Sequence, residues 1–502
     1  MQTERVVKGT VYFVMQNILG YFFSFLFYIL IARVLGATEI GKLSLLLMVS
    51  SVFTLINLSI NFALQKFIPA YIEEGRGKEI GRVIRTGLAI LLPVSSVALI
   101  VVIIFSSQLS YIIFGSTTEG LLITIIVLAS FILNITTFFG GEMLGLGKFK
   151  ETAFQTLLNV SISRVLAIVL AFIGLGLVGV TLGWLIAATI TLAFSLYVLR
   201  GRLYLEKGLP VKKILDFSLP IHVFAVLTFI QGWADIAILY ALATDLSNIG
   251  TYYLVVSGAT ILSLLYAPIS MTILPALSAR YSRDGVNGTS PMIDTYIRIV
   301  CKILVPVGVS FAVLSATAIE VAFGSQYIIG AVPFAMIAAT SIIPALALLT
   351  TTIIQSIGNT KPLIIIGISS AAADILTVAV FASSLGGIAG AAGRIVFSTI
   401  GLALGYYFIR KKIKLHLLRE LKQPLIASIA IASPLFIIDN YLHALNITLR
   451  IRAPIDISAF IALAVTFTYV TKYFKKEDFE LINQAIPKQL RSTLEKIETI
   501  FT

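Results

Sequence analysis

Four charged residues stand inside long apolar stretches of this sequence, where an unpaired charge is energetically expensive. Arg164 and Arg394 carry guanidinium groups, and Asp235 and Asp374 carry carboxylates. A guanidinium presents a planar fork of donors that fits phosphate oxygens, so both arginines are candidate binding residues for an anionic group. A carboxylate in a low-dielectric setting can take up a proton or coordinate sodium, so both aspartates are candidate ion-coupling residues. The alternative is that each arginine forms a buried structural ion pair with one of the aspartates.

Polar residues near these charges recur at helical spacing and define three stripes. The stripes are Gln155, Asn159 and Ser163; Thr228, Gln231 and Asp235; and Asn17, Tyr21, Ser24 and Tyr28. Residues three or four apart share one face of a helix, so each stripe predicts a polar helix face that could line a water-filled cavity. The resulting candidate substrate-binding residues are Gln155, Asn159, Ser163, Gln231 and Asn17.

The composition indicates which elements must position these residues. The chain has 502 residues, of which 58% are apolar and 12% charged, with a mean hydropathy of +0.99. Soluble domains are about 45–50% apolar and about 25% charged, so the sequence predicts an all-α polytopic membrane protein with about fourteen spans. We expect these spans at residues 11–32, 40–62, 86–105, 121–140, 153–173, 177–199, 217–241, 249–273, 299–319, 332–354, 363–383, 388–409, 425–441 and 455–471. The first is expected to be retained, because it is longer than a signal-peptide core and lacks a small-residue cleavage site.

The basic residues alternate between successive loops of this topology. The formal charge is +13, and about 30 of the 37 lysines and arginines fall in the N-terminus, in every second loop and in the C-terminal tail. This bias predicts that both termini are cytoplasmic and that the protein is a multi-pass protein of the cell membrane. Because membrane topology accounts for the excess charge, no nucleic-acid partner is expected.

The two halves of the chain repeat. A shift of 211 residues places Leu146-Gly147 on Ile357-Gly358 and the GLVG segment at 176–179 on GIAG at 387–390, and upstream Ile40-Gly41 matches Ile249-Gly250. Each half then holds six spans, so the halves are parallel repeats that face a central cleft. The predicted domains are residues 1–209 and 210–423, each a six-helix bundle, then 424–474 with helices 13 and 14, and 475–502, a cytoplasmic amphipathic tail.

Several segments resemble a known family. The opening VKGTVYFVMQNILGYFFSFLFYILIARVLGATEIGKLSLLL, with INFALQKFIPAYIEEG after it, is similar to the amino-terminal signature of polysaccharide-exporting flippases of the multidrug/oligosaccharidyl-lipid/polysaccharide superfamily. The segments DFSLPIHVFAVLTFIQGWADIAILYAL and ILPALSARYSRDG resemble its later part, and the similarity spans roughly the first 420 residues. The resemblance implies a V-shaped pair of six-helix bundles that flips a polyprenyl- or dolichyl-linked oligosaccharide from the cytoplasmic to the outer leaflet by alternating access.

Two other classes of protein compete with this hypothesis. A multidrug or organic-cation antiporter of the same superfamily should carry an excess of intramembrane carboxylates, whereas here two arginines match two aspartates. A membrane-embedded polysaccharide polymerase or glycosyltransferase needs acid and base residues on a sizeable loop, and the longest outward loop has about 14–16 residues. A transporter rather than an enzyme is therefore expected.

The remaining reactive residues suggest no cofactor. Cys301 is the single cysteine, the three histidines are scattered, and no Walker-type phosphate loop is present. We expect no cofactor or metal beyond a coupling H⁺ or Na⁺, and a monomer is sufficient because two bundles already enclose a pathway. Arg33 is a further candidate for substrate binding, although an arginine at a span end often reaches the interface, as is also expected of Lys302.

Overall fold

The computed structural model describes residues 2–200, 211–242, 245–358, 361–410, 413, 417–474 and 478. These residues form helices α1 (Gln2–Leu35), α2 (Ala37–Thr54), α3 (Ile60–Glu73), α4 (Gly77–Ile104), α5 (Ser106–Phe114), α6 (Gly120–Gly145), α7 (Phe149–Leu170), α8 (Gly176–Leu199), α9 (Val211–Ala241), α10 (Leu246–Ser263), α11 (Ala267–Val313), α12 (Ser315–Ala322), α13 (Ala331–Ala339), α14 (Ile342–Ser356), α15 (Lys361–Leu385), α16 (Gly387–Ile409), α17 (Leu417–Ala444) and α18 (Leu449–Thr471). The predicted all-α class is confirmed. Helices are the expected solution because a span in lipid must satisfy its own backbone hydrogen bonds.

The helices are long and apolar enough for a multi-pass membrane protein. Among the described residues, eleven helical segments qualify as spans, or twelve if the bent pair Ser325–Ala339 and Ile342–Ser356 is one span. Phe149–Leu199 counts once in this total, although its 51 residues contain both α7 and α8, which pack against each other. A continuous helix of that length would reach about 75 Å, more than twice the hydrocarbon thickness. The number fourteen stays a prediction.

Glycines terminate equivalent helices in the two halves. Gly147 follows α6 with a φ of 72°, and Gly358 follows α14 with a φ of 80°. A side chain is disfavoured at such angles, so the LG and IG pairs end their helices for the same reason. The turn before α8 is offset by one residue from the predicted repeat. The shift of 211 pairs Gly176 with Gly387, but the backbone angles of Gly176 (φ 52°, ψ −133°) match those of Gly386 (φ 52°, ψ −127°).

The chain divides into two compact units. The first comprises Met1–Ala237 with Asp245–Tyr253, and the second comprises Ile238–Thr244 with Leu254–Thr502. The domain boundaries predicted at residues 209 and 423 stay predictions, and the amphipathic tail predicted at 475–502 lies outside the described residues except for Asp478.

Small residues bring the helices of the first unit close together. A Cβ added to Gly141 of α6 would lie 2.6 Å from the Asn61 carbonyl oxygen of α3, and one at Gly145 would lie 2.8 Å from that of Leu64. The spacing of these glycines, four residues apart, is typical of close helix contacts in membranes. This contact places the polar residues of α3 against α6.

Lys302 of the second unit is a correction to the sequence analysis. Its ammonium is buried and donates to Asp478 Oδ2 at 2.9 Å and to the Tyr473 carbonyl oxygen, while Arg298 Nε donates to Asp478 Oδ1 at 2.7 Å. The expectation that Lys302 extends to the interface is therefore wrong, because a buried carboxylate from beyond α18 neutralises it. Burial also raises the pKa of the Tyr473 hydroxyl above its usual range.

Candidate functional site

A polar cavity of about 220 Å³ lies inside the first unit, between α3, α6, α7 and α8. None of the described residues that line it carries a formal charge. Nine of the thirteen described lining residues carry amide or hydroxyl side chains, among them Asn61, Gln65, Thr136, Gln155, Asn159 and Thr191. Such a lining offers both donors and acceptors, so the cavity suits an uncharged group that carries hydroxyls.

Gln155 of α7 has its amide fixed by two hydrogen bonds. Nε2 donates to the Thr136 carbonyl oxygen at 2.9 Å and to Ser195 Oγ at 2.7 Å. The orientation of the amide follows from this network, because Ser195 Oγ gives its only hydrogen to the Thr191 carbonyl and must accept from Gln155. The Oε1 atom lies against Gly140, where an added Cβ would be 2.7 Å away.

The guanidinium of Arg164 lies in a niche of aromatic rings. Its central carbon is 4.6 Å from the ring centre of Phe27, 5.6 Å from that of Trp184 and 5.8 Å from that of Tyr28. These distances are within the range of cation–π attraction. The Nε atom is buried without a hydrogen-bond partner.

Arg164 has no carboxylate partner among the described residues. The first unit therefore contains no ion pair between Arg164 and Asp235. The rings attract the cation but leave its hydrogen-bonding capacity unused, and a guanidinium in this state can still bind an anion.

The aromatic niche continues into a row of rings across the first unit. Tyr28 and Tyr253 lie edge to face with their hydroxyl oxygens 2.8 Å apart, and Trp233 stacks on Tyr253 with ring centres 6.2 Å apart. The row joins α1 with α9 and with the first half of α10. Such rings offer apolar faces with polar edges, which suits contact with an amphipathic ligand.

Asp235 of α9 is fully buried in the first unit. Its Oδ2 accepts a hydrogen bond from the Tyr252 hydroxyl at 2.5 Å, and its Oδ1 accepts one from the backbone N–H of Ile236 at 2.8 Å. The ion-coupling role of Asp235 stays a prediction.

In the second unit, Asp374 and Arg394 lie on adjacent helices. Asp374 is buried in α15, and its Oδ1 touches the site where a Cβ of Gly393 in α16 would be. Arg394 is half-buried in α16. The shift of 211 residues also pairs Ser163 of α7 with Asp374, and both side chains are buried.

The other predicted residues lie apart from the cavity wall. Ser163 is buried and its hydroxyl donates to the Val160 carbonyl, whereas Asn17 is half-buried and accepts a hydrogen bond from Gln16. Gln231 and Arg33 are exposed. Of the first polar stripe, Gln155 and Asn159 reach the cavity.

Sequence reasoning missed the contribution of α3 and α6 to the wall. Asn61 and Gln65 are four residues apart in INFALQ, so their spacing already indicated a polar face. Thr136 and Thr137 gave no such signal, because an apolar helix can keep threonine hydroxyls bonded to its own backbone. The aromatic niche around Arg164 gave no signal either, since its rings come from α1 and α8.

Comparison with known proteins places the chain among relatives. The model of a family described as polysaccharide biosynthesis protein matches residues 6–280. The solved lipid II flippase MurJ in an inward closed conformation is similar in structure, with 15% identity, a TM-score of 0.69, and coverage of 92% of this chain and 98% of that one. An inward-facing multidrug resistance MATE family transporter of the MOP superfamily gives 17% identity, a TM-score of 0.66, and coverage of 78% and 93%.

A third solved structure comes from Pyrococcus furiosus and is a MOP superfamily transporter for which a reversed polarity of the binding pocket suggests a different function. It is 15% identical, with a TM-score of 0.55 and coverage of 80% of this chain and 95% of that one. No curated protein sequence matches the chain. At these identities the structural likeness shows the fold, which is that of MOP superfamily transporters, so the expected fold class is confirmed.

Proposed function

The chain belongs to the polysaccharide biosynthesis protein family, and on that premise we propose that it is a flippase for a lipid-linked oligosaccharide. The cargo would be a polyprenyl or dolichyl phosphate or pyrophosphate that carries sugars. It would move from the cytoplasmic to the outer leaflet by alternating access, for the assembly of cell-surface polysaccharide or glycoprotein. The known relatives are a flippase and transporters, which supports transport rather than an enzymatic reaction.

Arg164 carries the proposal. A cation at membrane depth is expected to have a carboxylate partner, and among the described residues Arg164 has aromatic rings instead. A phosphate of the cargo would supply the missing negative charge and would accept two parallel N–H bonds from the guanidinium. Each charge-assisted bond contributes about 1.5–3 kcal/mol, which corresponds to about 10- to 150-fold in binding.

The neutral cavity supports a second contact, with the sugar part of the cargo. Asn159 lines this cavity and lies five residues before Arg164 on α7, a rise of about 7.5 Å. Five residues along a helix also turn the side chain by about 140°, so a phosphate at Arg164 and a sugar at Asn159 would contact different sides of α7. Uncharged donors and acceptors replace the hydration of sugar hydroxyls without attracting an organic cation.

The energy source is a further part of the proposal. Asp235 and Asp374 are both buried, and we assign them the coupling of transport to H⁺ or Na⁺. Arg394 and Arg33, together with Asn17, Gln231 and Ser163, remain candidates for contact with the cargo in other conformations. We further propose a functional monomer in the cell membrane with both termini in the cytoplasm.

The decisive experiment is reconstitution into liposomes with a fluorescent lipid pyrophosphate oligosaccharide, scored by access of an external quencher. Arg164→Ala should slow flipping by at least about 10-fold, because it removes both charge-assisted bonds to the phosphate, and Arg164→Lys should slow it less because the charge stays. Arg419→Ala is the matched control, since the Arg419 side chain is 84% exposed.

Normal flipping by folded Arg164→Ala protein would remove this residue from the mechanism. Efflux of hydrophobic cations without any flipping of the lipid would instead support the antiporter, the second candidate function.

A further inference from the structure

A buried charged cluster joins α12 to α17 and α18 in the second unit. Arg452 of α18 is its centre, with Nη2 3.2 Å from Glu320 Oε2 of α12 and Nε 3.8 Å from Asp439 Oδ1 of α17. The hydroxyl of Thr317 donates to the same Asp439 oxygen at 2.9 Å. Asp456 lies one turn after Arg452 and therefore on the same face of α18.

Asp456 is the unusual member of this cluster. It is 1% exposed, and neither of its carboxyl oxygens has a hydrogen-bond partner. The Asp439 carboxyl of α17 is the acid that lies beside it. Two ionised carboxylates side by side repel each other and cannot hydrogen-bond, whereas one proton between them allows an O–H···O⁻ bond.

The charges of the cluster lead to the same conclusion. Glu320, Asp439 and Asp456 would together bring three negative charges against the single positive charge of Arg452. An uncompensated buried carboxylate is strongly unfavourable, so the cluster has its lowest free energy when one of the acids is protonated. The groups that face Asp456 are Asp439 from α17 and Arg452 from its own helix, with Glu320 of α12 beyond Arg452.

We propose that Asp439 and Asp456 form a proton-binding site that holds one exchangeable proton between their carboxyl groups. A proton fits better than a metal ion, because the described residues contain no group of three or more Asp, Glu, His or Cys arranged to hold a metal. The site is separate from Asp235 and Asp374, and it does not depend on the proposed flipping of lipid-linked sugars.

The side-chain exposure gives the proton a route to water. The Asp439 side chain is 16% exposed and that of Glu320 is 28% exposed, while Asp456 is sealed behind them. Loss of the proton would place a third negative charge beside Arg452. It would therefore change the attachment of α18 to α12 and α17, and pH on that side of the membrane would set its strength.

Infrared spectroscopy of the purified protein in lipid nanodiscs tests the site, because carboxylic acids and carboxylates absorb at different frequencies. At mildly acidic pH, Asp456→Asn should remove one carboxylic-acid band and leave the carboxylate absorption unchanged. Asp439→Asn, which keeps an acceptor for Thr317, should give the same loss. In the wild-type protein the band should disappear as the pH rises. Glu74→Gln, at an exposed ion pair with Arg76, should remove a carboxylate band only.

Two results would overturn the proposal. One is a spectrum in which both aspartate variants, eluting as folded protein, lose a carboxylate band and no acid band, since both groups would then be ionised. The other is a shift of the carboxylate bands when sodium replaces potassium at constant pH, because that response would identify a metal-ion site. If Asp456→Asn fails to fold, Asp439→Asn decides alone.

Discussion

Gly140→Ala tests the wall of the neutral cavity most directly. The new Cβ would lie 2.7 Å from Gln155 Oε1, closer than ordinary contacts allow. Gln155 can retreat only by giving up a hydrogen bond to Thr136 or Ser195. A lost buried hydrogen bond costs about 1–3 kcal/mol, and alanine in a helix returns about 0.5–1 kcal/mol. The net destabilisation should therefore be about 0.5–2 kcal/mol.

A double-mutant cycle separates this contact from a general effect of the extra methyl group. In a Gln155→Ala background the clash is absent, so Gly140→Ala should change sign and stabilise the protein by about 0.5–1 kcal/mol. Gly367→Ala is the matched control, because nothing lies within 4 Å of a Cβ at that position.

Equilibrium unfolding in detergent micelles measures these differences, and flipping of the fluorescent lipid in liposomes measures their effect on transport. The reasoning is refuted if Gly140→Ala is as stable as Gly367→Ala, or if the two substitutions at 140 and 155 are simply additive.

Two further predictions concern charges. Asp478→Ala should destabilise the second unit by about 3–5 kcal/mol in the same unfolding measurement, because it leaves Arg298 and Lys302 near each other without their carboxylate. A destabilisation below about 1 kcal/mol, the size expected for exposed ion pairs, would contradict this role of Asp478. Asp235→Asn and Asp374→Asn should each abolish acceleration of flipping by an imposed proton or sodium gradient in liposomes, and unchanged acceleration in both would eliminate the coupling hypothesis.

Much of the architecture could be predicted from the chain alone. The apolar composition dictates helices, because lipid offers no partner for an unpaired backbone group. The LG and IG pairs before Lys148 and Asn359 indicated equivalent helix ends, and Gly147 and Gly358 share the left-handed backbone that ends them. The family followed from the opening segment, which lies within the matched residues 6–280.

The site was predicted less completely. The stripe of Gln155 and Asn159 lies on the cavity wall, whereas the aromatic rings around Arg164 were not predicted. Helical spacing shows which residues share a face, but a helix that is apolar all round gives no sign of which neighbour each face meets. Phe27 and Trp184 could therefore not be recognised as the surroundings of Arg164.

The sequence by itself determined that this is a membrane protein, that it is helical and that its two halves repeat in sequence. These properties depend on composition and on local spacing. Tertiary structure alone decided which polar groups meet. Lys302 and Asp478 are 176 residues apart in the chain and hydrogen-bond directly, and Asp439 and Asp456 approach across two helices. In a membrane, packing rather than hydrophobicity selects the neighbours of each helix, so these pairings follow from the folded chain as a whole.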